Sequence, residues 1–261
     1  MQISAVIITY NEARNIGRCL DSLQGIADEV VVVDSYSTDT TKAICLSHGI
    51  RFLEHPFDGY TEQKNFAAAQ AKFPYVLSLD ADEALSDELR QSILAIKQKA
   101  EIAADAYSMH RLTMYCGRWI RHSGWYPDTK VRLYEKSKGE WFGRKIHEYV
   151  RLKPDAQKVH LEGDILHYSF YTVDQHMATV NKFSTLKAEL LFEKGKRSSL
   201  LQIFFSPVFK FFRDYIWKAG FLDGFQGLLI AINSAHGVFL KYAKLRIMHK
   251  HKNADSDLEK D

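Results

Sequence analysis

The feature that most limits how this chain can fold is a series of apolar stretches separated by helix-like spacing within its first hundred residues. Segments 3–9, 29–33, 50–53 and 75–79 are short and rich in Val, Ile and Leu, so each reads as a buried strand. The intervening segments carry helical periodicity. Asn11 can cap a helix bearing Ile16, Leu20 and Leu23; Thr38 or Asp39 can start one through Ala43, Ile44 and Leu46, closed by Gly49. Residues 61–72 form an alanine-rich helix, and Ser86 can cap one bearing Leu89, Ile93 and Ile96. Strands and helices alternating with short links predict a parallel sheet covered on both faces. Right-handed crossovers place every strand C-terminus on one edge, so Thr9, Asp34 and Asp80 converge there.

Beyond Ala106 the pattern changes to short strands at 107–112, 131–134 and 165–168, set among polar loops with Gly and Trp. Thr172 opens a long helix through Val173, Met177, Val180 and Phe183 to Gly195, and Ser206-Pro207 reads as the cap and first residue of a second. A last helix runs from Asp223 to about His249, followed by a polar tail. The expected organisation is one α/β domain over 1–171, in two parts of different pattern (1–100 and 101–171). A basic, aromatic helical extension follows over 172–252, with a tail over 253–261.

The formal charge of +3 conceals an asymmetry. Residues 196–252 hold ten Lys or Arg against Asp214 and Asp223, a net of +8, leaving −5 for the remainder. Cys19, Cys45 and Cys116 form no metal-ligand spacing and fit a reducing compartment. The N-terminus runs into a strand without a basic leader, so no signal peptide is expected.

Asp80-Ala81-Asp82 directly follows the fourth apolar run, which delivers two carboxylates to the ligand-binding edge of the sheet. Carboxylates in that position suit a hard divalent cation, which in turn clamps phosphates. Asp-x-Asp alone is also common in solvated loops, but three further segments accompany it in order: Ile7-Ile8-Thr9-Tyr10-Asn11-Glu12, the stretch from Val31 through Asp34 to Thr41, and Gln63-Lys64-Asn65. Together with Leu79-Asp80-Ala81-Asp82-Glu83 this set resembles the family 2 glycosyltransferases, inverting enzymes of the GT-A fold that use nucleotide-sugar donors. The resemblance covers roughly residues 1–170. Within the family the chain is most similar to the lipopolysaccharide inner-core β-1,4-glucosyltransferase group, which shares Asp-Ala-Asp-Glu, a later His-Glu (here His147-Glu148) and a basic, aromatic C-terminal extension.

The resemblance implies an α/β fold: a GT-A-type, mostly parallel sheet with helices on both faces, followed by a helical C-terminal extension. It also implies roles. Thr9, Tyr10, Asn11 and Glu12 border the nucleoside, Asp34 meets uracil or ribose, and Lys64 and Asn65 line the donor pocket. Asp80 faces ribose and sugar, and Asp82 binds the Mg²⁺ or Mn²⁺ that bridges the two phosphates. Tyr36 stands where the family frequently has Gly, which bears on the conformation of that loop.

An inverting transfer needs one general base near the acceptor hydroxyl. Glu148 is the first candidate, Asp128 the second and Glu83 the third; the competing role for Glu148 is an ion pair with Arg144, Lys145 or Arg151. His167 or His147 can complete the metal shell, against an ordinary structural role for any one of eleven histidines. Trp119, Trp125 and Trp141 suit either sugar stacking or a core.

In the C-terminal third, Phe204, Phe205, Phe209, Phe211, Phe212, Tyr215 and Trp217 are interrupted by Lys210, Arg213 and Lys218. Residues 221–240 come closest to a membrane span but include Asp223, Gln226, Asn233 and His236. The reading is interfacial helices on an anionic membrane, with packed helices or an oligomer interface as the competing account. No nucleic-acid motif appears and no nucleic-acid partner is expected. The expected protein is a metal-dependent inverting hexosyltransferase, peripheral on the cytoplasmic face of the plasma membrane. It would move glucose from UDP-glucose, a UDP-sugar donor, to a lipid-linked oligosaccharide of the lipopolysaccharide core. Rival readings are a polyprenyl-phosphate-linked or protein acceptor, a nucleotidyltransferase, and a catalytically silent nucleotide-sugar binder. The nucleotidyltransferase is disfavoured because no Gly-rich loop with a basic residue follows the first strand.

Overall fold

The computed structural model describes residues 1–99, 104–143 and 148–258, with side chains described as far as His251. The chain forms two compact units, residues 1–113 with 127–169, and residues 114–126 with 170–261.

In the first unit, β1 (Ile3–Thr9), β2 (Glu29–Asp34), β3 (Arg51–Glu54) and β4 (Tyr75–Asp80) are parallel, in the order β3-β2-β1-β4. They are linked through α1 (Ile16–Ser22), α2 (Thr41–Ser47) and α3 (Tyr60–Ala69). The period-two alternation of strands divides the aliphatic side chains between two cores. Ile3, Ala5, Ile7, Val32 and Leu77 pack with Ile16, Cys19 and Leu20 of α1 and with Leu89 and Ile93 of α4 (Asp87–Lys97). Val6, Val31, Val33 and Val76 pack on the other side with Ala67 and Ala68 of α3. Each fully buried Val, Ile or Leu contributes about 1.5–3 kcal/mol, so the apolar runs legible in the sequence are what hold the helices on both faces.

The chain winds outward from β1 to β3 and then returns to the other side of β1 as β4. That reversal makes the gap beyond the ends of β1 and β4 the topological switch point, where open α/β sheets bind ligands. The register places Ile8 beside Asp80 and Thr9 beside Asp34, so the expected convergence is present.

The sheet then continues in the order β4-β8-β6-β11-β5, with β5 (Glu83–Leu85), β6 (Ala106–Tyr115), β8 (Asp128–Glu135) and β11 (Lys158–Phe170). The pairs β4–β8, β8–β6 and β11–β5 are antiparallel. Crossover helices make the first four strands parallel, and β6 and β11 also run in the same direction, Ala106 N donating to Gln157 O at 3.0 Å and Cys116 N to Phe170 O at 2.8 Å. A separate two-stranded ladder joins β9 (Gly139–Phe142) to β10 (Tyr149–Leu152). Gly163 in β11 is required by packing: at φ +96 a Cβ there would lie 2.2 Å from Leu89 N at the start of α4.

Two of the helix starts in this unit differ from expectation and one agrees. Asn11 does not cap α1; it has φ 54, outside the extended range of an N-cap, and α1 begins only at Ile16. The second helix begins at Thr41, with the Asp39 carboxylate accepting from Thr41 N at 2.9 Å. Ser86 does cap α4, its Oγ accepting from Leu89 N.

The second unit contains the end of β6, the short strand β7 (Arg118–Ile120) and three long helices, α5 (Val173–Glu193), α6 (Leu200–Phe212) and α7 (Gly224–Leu258). Capping boxes start two of these helices, Thr172 with Gln175 for α5 and Ser199 with Gln202 for α6. Ser206-Pro207 is therefore not a helix start. The reciprocal bonds of Ser199 and Gln202 nucleate α6 two turns earlier, and Pro207 lies within it. Trp125 is a core residue of this unit, packed with Tyr115, Phe170 and His176. Among the described residues no helix is long and apolar enough to cross a membrane.

Candidate active site

At the switch point the first unit carries a cleft of about 610 Å³. Its walls come from Thr9, Tyr10 and Glu12 after β1, Ser35 after β2, Tyr60 and Gln63 of α3, Asp80 and Asp82 after β4, and His167 of β11. Thr9 Oγ1 is buried there with no hydrogen-bond partner among the described residues. A buried hydroxyl in that state is ready for a ligand's polar atom.

The loops after β1 and β2 are tied together by hydrogen bonds that use much of the Ser/Thr/Asp motif. Asn11 N donates to Ser37 Oγ, Thr38 N to Asn11 Oδ1, Glu12 N to Thr41 Oγ1, and Ala13 N to Asp39 Oδ2, at 2.7–3.1 Å. Asp34 is buried and accepts from Ser37 N and Ser37 Oγ at 2.7 and 2.5 Å. Asn11 and Asp34 thus brace the rim, and Ser35 stands in the cleft wall. Tyr36 adopts φ 62, the left-handed conformation that Gly would take without strain, with its ring exposed.

Asp80 occupies the floor. Lys64 Nζ lies 2.9 Å from its Oδ1, and Arg132 Nη2 donates to Oδ2 at 3.2 Å. Burial pushes its carboxyl up, but Lys64 and Arg132 together outweigh that and hold it well below the usual carboxylate range. Its two cationic partners thus favour the ionised form of Asp80. Arg132 is itself buried, and its Nη2 also donates to Glu83 Oε1 at 2.7 Å; Glu83 in turn accepts from Asp80 N. Glu83 is thereby fully engaged as a brace. Asn65 faces β9, where its amide pairs both ways with the backbone of Trp141, donating to O and accepting from N at 2.9 Å. The adjacent Trp141 ring is buried, with Lys64 Nζ 4.3 Å from its centre.

Asp82 lies with its Oδ2 3.2 Å from His167 Nε2. A carboxylate and an imidazole together suit Mg²⁺ or Mn²⁺, and both line the cleft. Among the described residues no group of three His, Cys, Asp or Glu is arranged around a common point. The two-ligand set fits a cation that completes its shell with water and phosphate oxygens, as Mg²⁺ commonly does. Nearby, burial raises the pKa of Glu12 against the opposing hydrogen bond from Asn15, with Asp82 and Asp39 adding to the rise.

A second cavity of about 460 Å³ shares Asp80 with the first and is lined by Lys64, Arg111, Lys130, Arg132, Trp141, Glu148 and Tyr149. Asp128 stands beside it, gripped by Arg111 through Nε and Nη2 at 3.0 and 2.8 Å and by Lys130 at 3.0 Å. Burial raises its proton affinity, but Arg111 and Lys130 reverse that and leave its pKa lowered. Arg151 pairs with Glu140. His147, Arg144 and Lys145 lie outside the described residues.

Sequence reasoning missed Arg132, Arg111 and Tyr60, and named Gln63 only within the Gln63-Lys64-Asn65 motif. Only Arg132 left a signal, a charged residue between Val131 and Leu133 in an apolar strand. Tyr60 lines the cleft from the first turn of α3, and Arg111 reaches the site through the pairing of β6 with β8.

The glycosyl transferase family 2 model matches residues 4–151. A Rickettsia bellii protein described as an uncharacterized glycosyltransferase is 36% identical over 254 residues, covering 94% of this chain and 86% of that protein. The lipopolysaccharide core biosynthesis glycosyltransferase LpsC of Rhizobium meliloti is 31% identical over 260 residues, covering 95% of this chain and 93% of that protein. Among solved structures, glucosyl-3-phosphoglycerate synthase of Mycobacterium tuberculosis, in complex with Mn²⁺, UDP and glucosyl-3-phosphoglycerate, is 22% identical with a TM-score of 0.35, covering 43% of this chain and 44% of that chain. With the family model spanning more than half of its length and full-length relatives above 30% identity, this chain belongs to the family 2 glycosyltransferases and is an enzyme of the GT-A fold.

Proposed function

We propose that this glycosyltransferase moves a hexose, glucose from UDP-glucose, to a lipid-anchored lipopolysaccharide core acceptor, with inversion and with Mg²⁺ or Mn²⁺. The observation that carries the reading is the convergence of Asp82 and His167 on a cleft that shares Asp80 with a second cavity containing Glu148. One cavity suits the donor and the other the acceptor. The acceptor class is supported by the relative named for lipopolysaccharide core biosynthesis. In this reading residues 1–171 are catalytic, and 172–252 form an extension in peripheral contact with the anionic inner leaflet.

Each residue then has a defined task. Thr9, Tyr10 and Glu12 border the nucleoside, and the free Thr9 hydroxyl takes one polar atom of it. Lys64 and Arg132 keep Asp80 ionised and oriented as an acceptor for donor hydroxyls. Asp82 and His167 hold the cation, which when bound stabilises the charge developing on the UDP leaving group. Glu148 takes the proton from the attacking acceptor hydroxyl. Asp128 is the weaker candidate because two cations lower its proton affinity, and Glu83 is the weakest because it is buried and paired with Arg132.

A panel of UDP-, GDP- and dTDP-sugars, assayed for hydrolysis with Mg²⁺ or Mn²⁺ and for transfer to delipidated and intact core acceptors, tests the proposal. UDP-glucose should be the preferred donor. Preference for another nucleotide would overturn the donor assignment, and binding without any turnover would favour a silent sugar-nucleotide binder. Transfer to a polyprenyl-phosphate-linked glycan alone would move the acceptor assignment.

A further inference from the structure

Helix α6 is amphipathic in the wrong sense for a helix that only packs inward. Leu201, Phe204, Phe205, Val208, Phe209 and Phe212 recur at helical spacing and are each 50–69% exposed, whereas Ile203 is its buried residue. Ile216, Trp217, Phe221, Leu222 and Phe225 continue the exposed apolar surface through the turns that follow. Monomers rarely leave so many large side chains together in water.

The charges are sorted as well. Asp214 and Asp223, the acids among residues 196–252, are both buried. Asp214 is paired with Lys210 and Arg213, and Asp223 accepts from His122 N and Nδ1. Within residues 196–251 the exposed charges are therefore cationic. Immediately before α6, Arg197 and Ser198 form a cleft of about 560 Å³ with Arg246, Ile247, His249 and Lys250 of α7. No carboxylate is among its lining residues, and Ser198 stands two residues before the exposed Leu200 and Leu201 of α6.

We infer that α6 and the turns after it lie in the plane of an anionic phospholipid surface, with the Arg197–Arg246–Lys250 cleft receiving a headgroup phosphate. Aromatic and leucine side chains enter the acyl boundary while lysines and arginines meet the headgroups. The inference rests on the peripheral membrane contact in the reading above and assigns it to named residues. A second copy of the chain is a poorer occupant, because self-pairing would bring the cationic rims together.

The test is flotation of the full chain with phosphatidylcholine vesicles and with vesicles containing phosphatidylglycerol, beside UDP-glucose hydrolysis measured without vesicles. Binding should favour the anionic vesicles and weaken with salt. Phe204→Glu with Phe205→Glu should abolish flotation. Arg197→Ala with Arg246→Ala should weaken anionic-vesicle binding roughly 30-fold, from two near-surface cations. All four side chains are exposed, so melting temperature and hydrolysis should hold in both variants. Quenching of Trp217 fluorescence by brominated lipid reads the same insertion in the unaltered protein, with Trp217→Phe as control. Failure of the full chain to float, undiminished flotation of the phenylalanine variant, or equal binding to neutral and anionic vesicles would overturn the inference. So would a solution dimer that the phenylalanine variant dissolves. Flotation without any sugar-nucleotide turnover would instead remove the catalytic reading and leave this one standing.

Discussion

Asp82 Oδ2 and His167 Nε2 lie 3.2 Å apart, although one follows β4 and the other sits in β11. The contact arises because β5 pairs antiparallel with β11, setting His167 opposite Glu83, while Tyr168 N donates to Asp82 O at 2.9 Å. One continuous antiparallel ladder thus holds Asp82 and His167 side by side in the wall of the cleft.

Removing either side of that pair should separate metal binding from folding. Asp82→Asn is expected to abolish transfer, and His167→Ala to raise the Mn²⁺ concentration needed for half-maximal rate. Chelation should silence the native enzyme until Mg²⁺ or Mn²⁺ is restored. Undiminished transfer in excess chelator would sink the metal assignment.

Glu148→Gln keeps the shape of the side chain and removes its ability to take a proton. Loss of a positioned base costs ~10²–10⁴ in rate, with UDP-glucose affinity unchanged by calorimetry. Asp128→Asn should cost less, since Arg111 and Lys130 already lower its proton affinity. The reverse ranking of the two variants would transfer the role to Asp128.

Arg132 stabilises two carboxylates at once, so its removal should be a folding defect as well as a catalytic one. Arg132→Ala leaves Glu83 buried without its 2.7 Å partner and Asp80 with Lys64 alone. Breaking a buried pair from one side costs about 3–5 kcal/mol, readable as a lower urea midpoint. A midpoint equal to that of the native protein would show that Glu83 finds another partner.

His176 makes the second unit sensitive to acid. Burial pushes its pKa down to about 4, and its Nδ1 lies 3.2 Å from the Asn233 amide nitrogen, a donor that favours an unprotonated ring nitrogen. The unfolded chain binds a proton near pH 6.5 and the folded chain does not, so this stability is present above pH 6.5 and is lost as pH falls toward 4. The loss should reach the order of 3 kcal/mol for a shift of this size. Thermal melts across that window should fall less steeply in His176→Gln; parallel slopes would discharge His176 from the effect.

What the sequence alone determined is local. Strand runs, helix periodicity and the Ser86 cap depend on neighbours within a few residues, and β1 through β4 with Asp80 at their edge follow from them. Four ordered motifs added the family, because side-chain chemistry at strand ends is carried by short contiguous segments. Tertiary structure decided the rest. Asn65 reads as a donor-pocket residue by its motif, yet its amide is consumed by the Trp141 backbone of β9. Asn11 looks like a helix cap and instead ties two loops together. Arg111 and Arg132 reach the site only because β8 inserts between β4 and β6 and aligns Arg111 with Asp128. The direction in which α6 turns its phenylalanines was likewise hidden, since periodicity identifies a face but not whether protein covers it. Pairing between distant segments is set by the balance of burial, register and charge over the whole fold, and no window of the chain contains that balance.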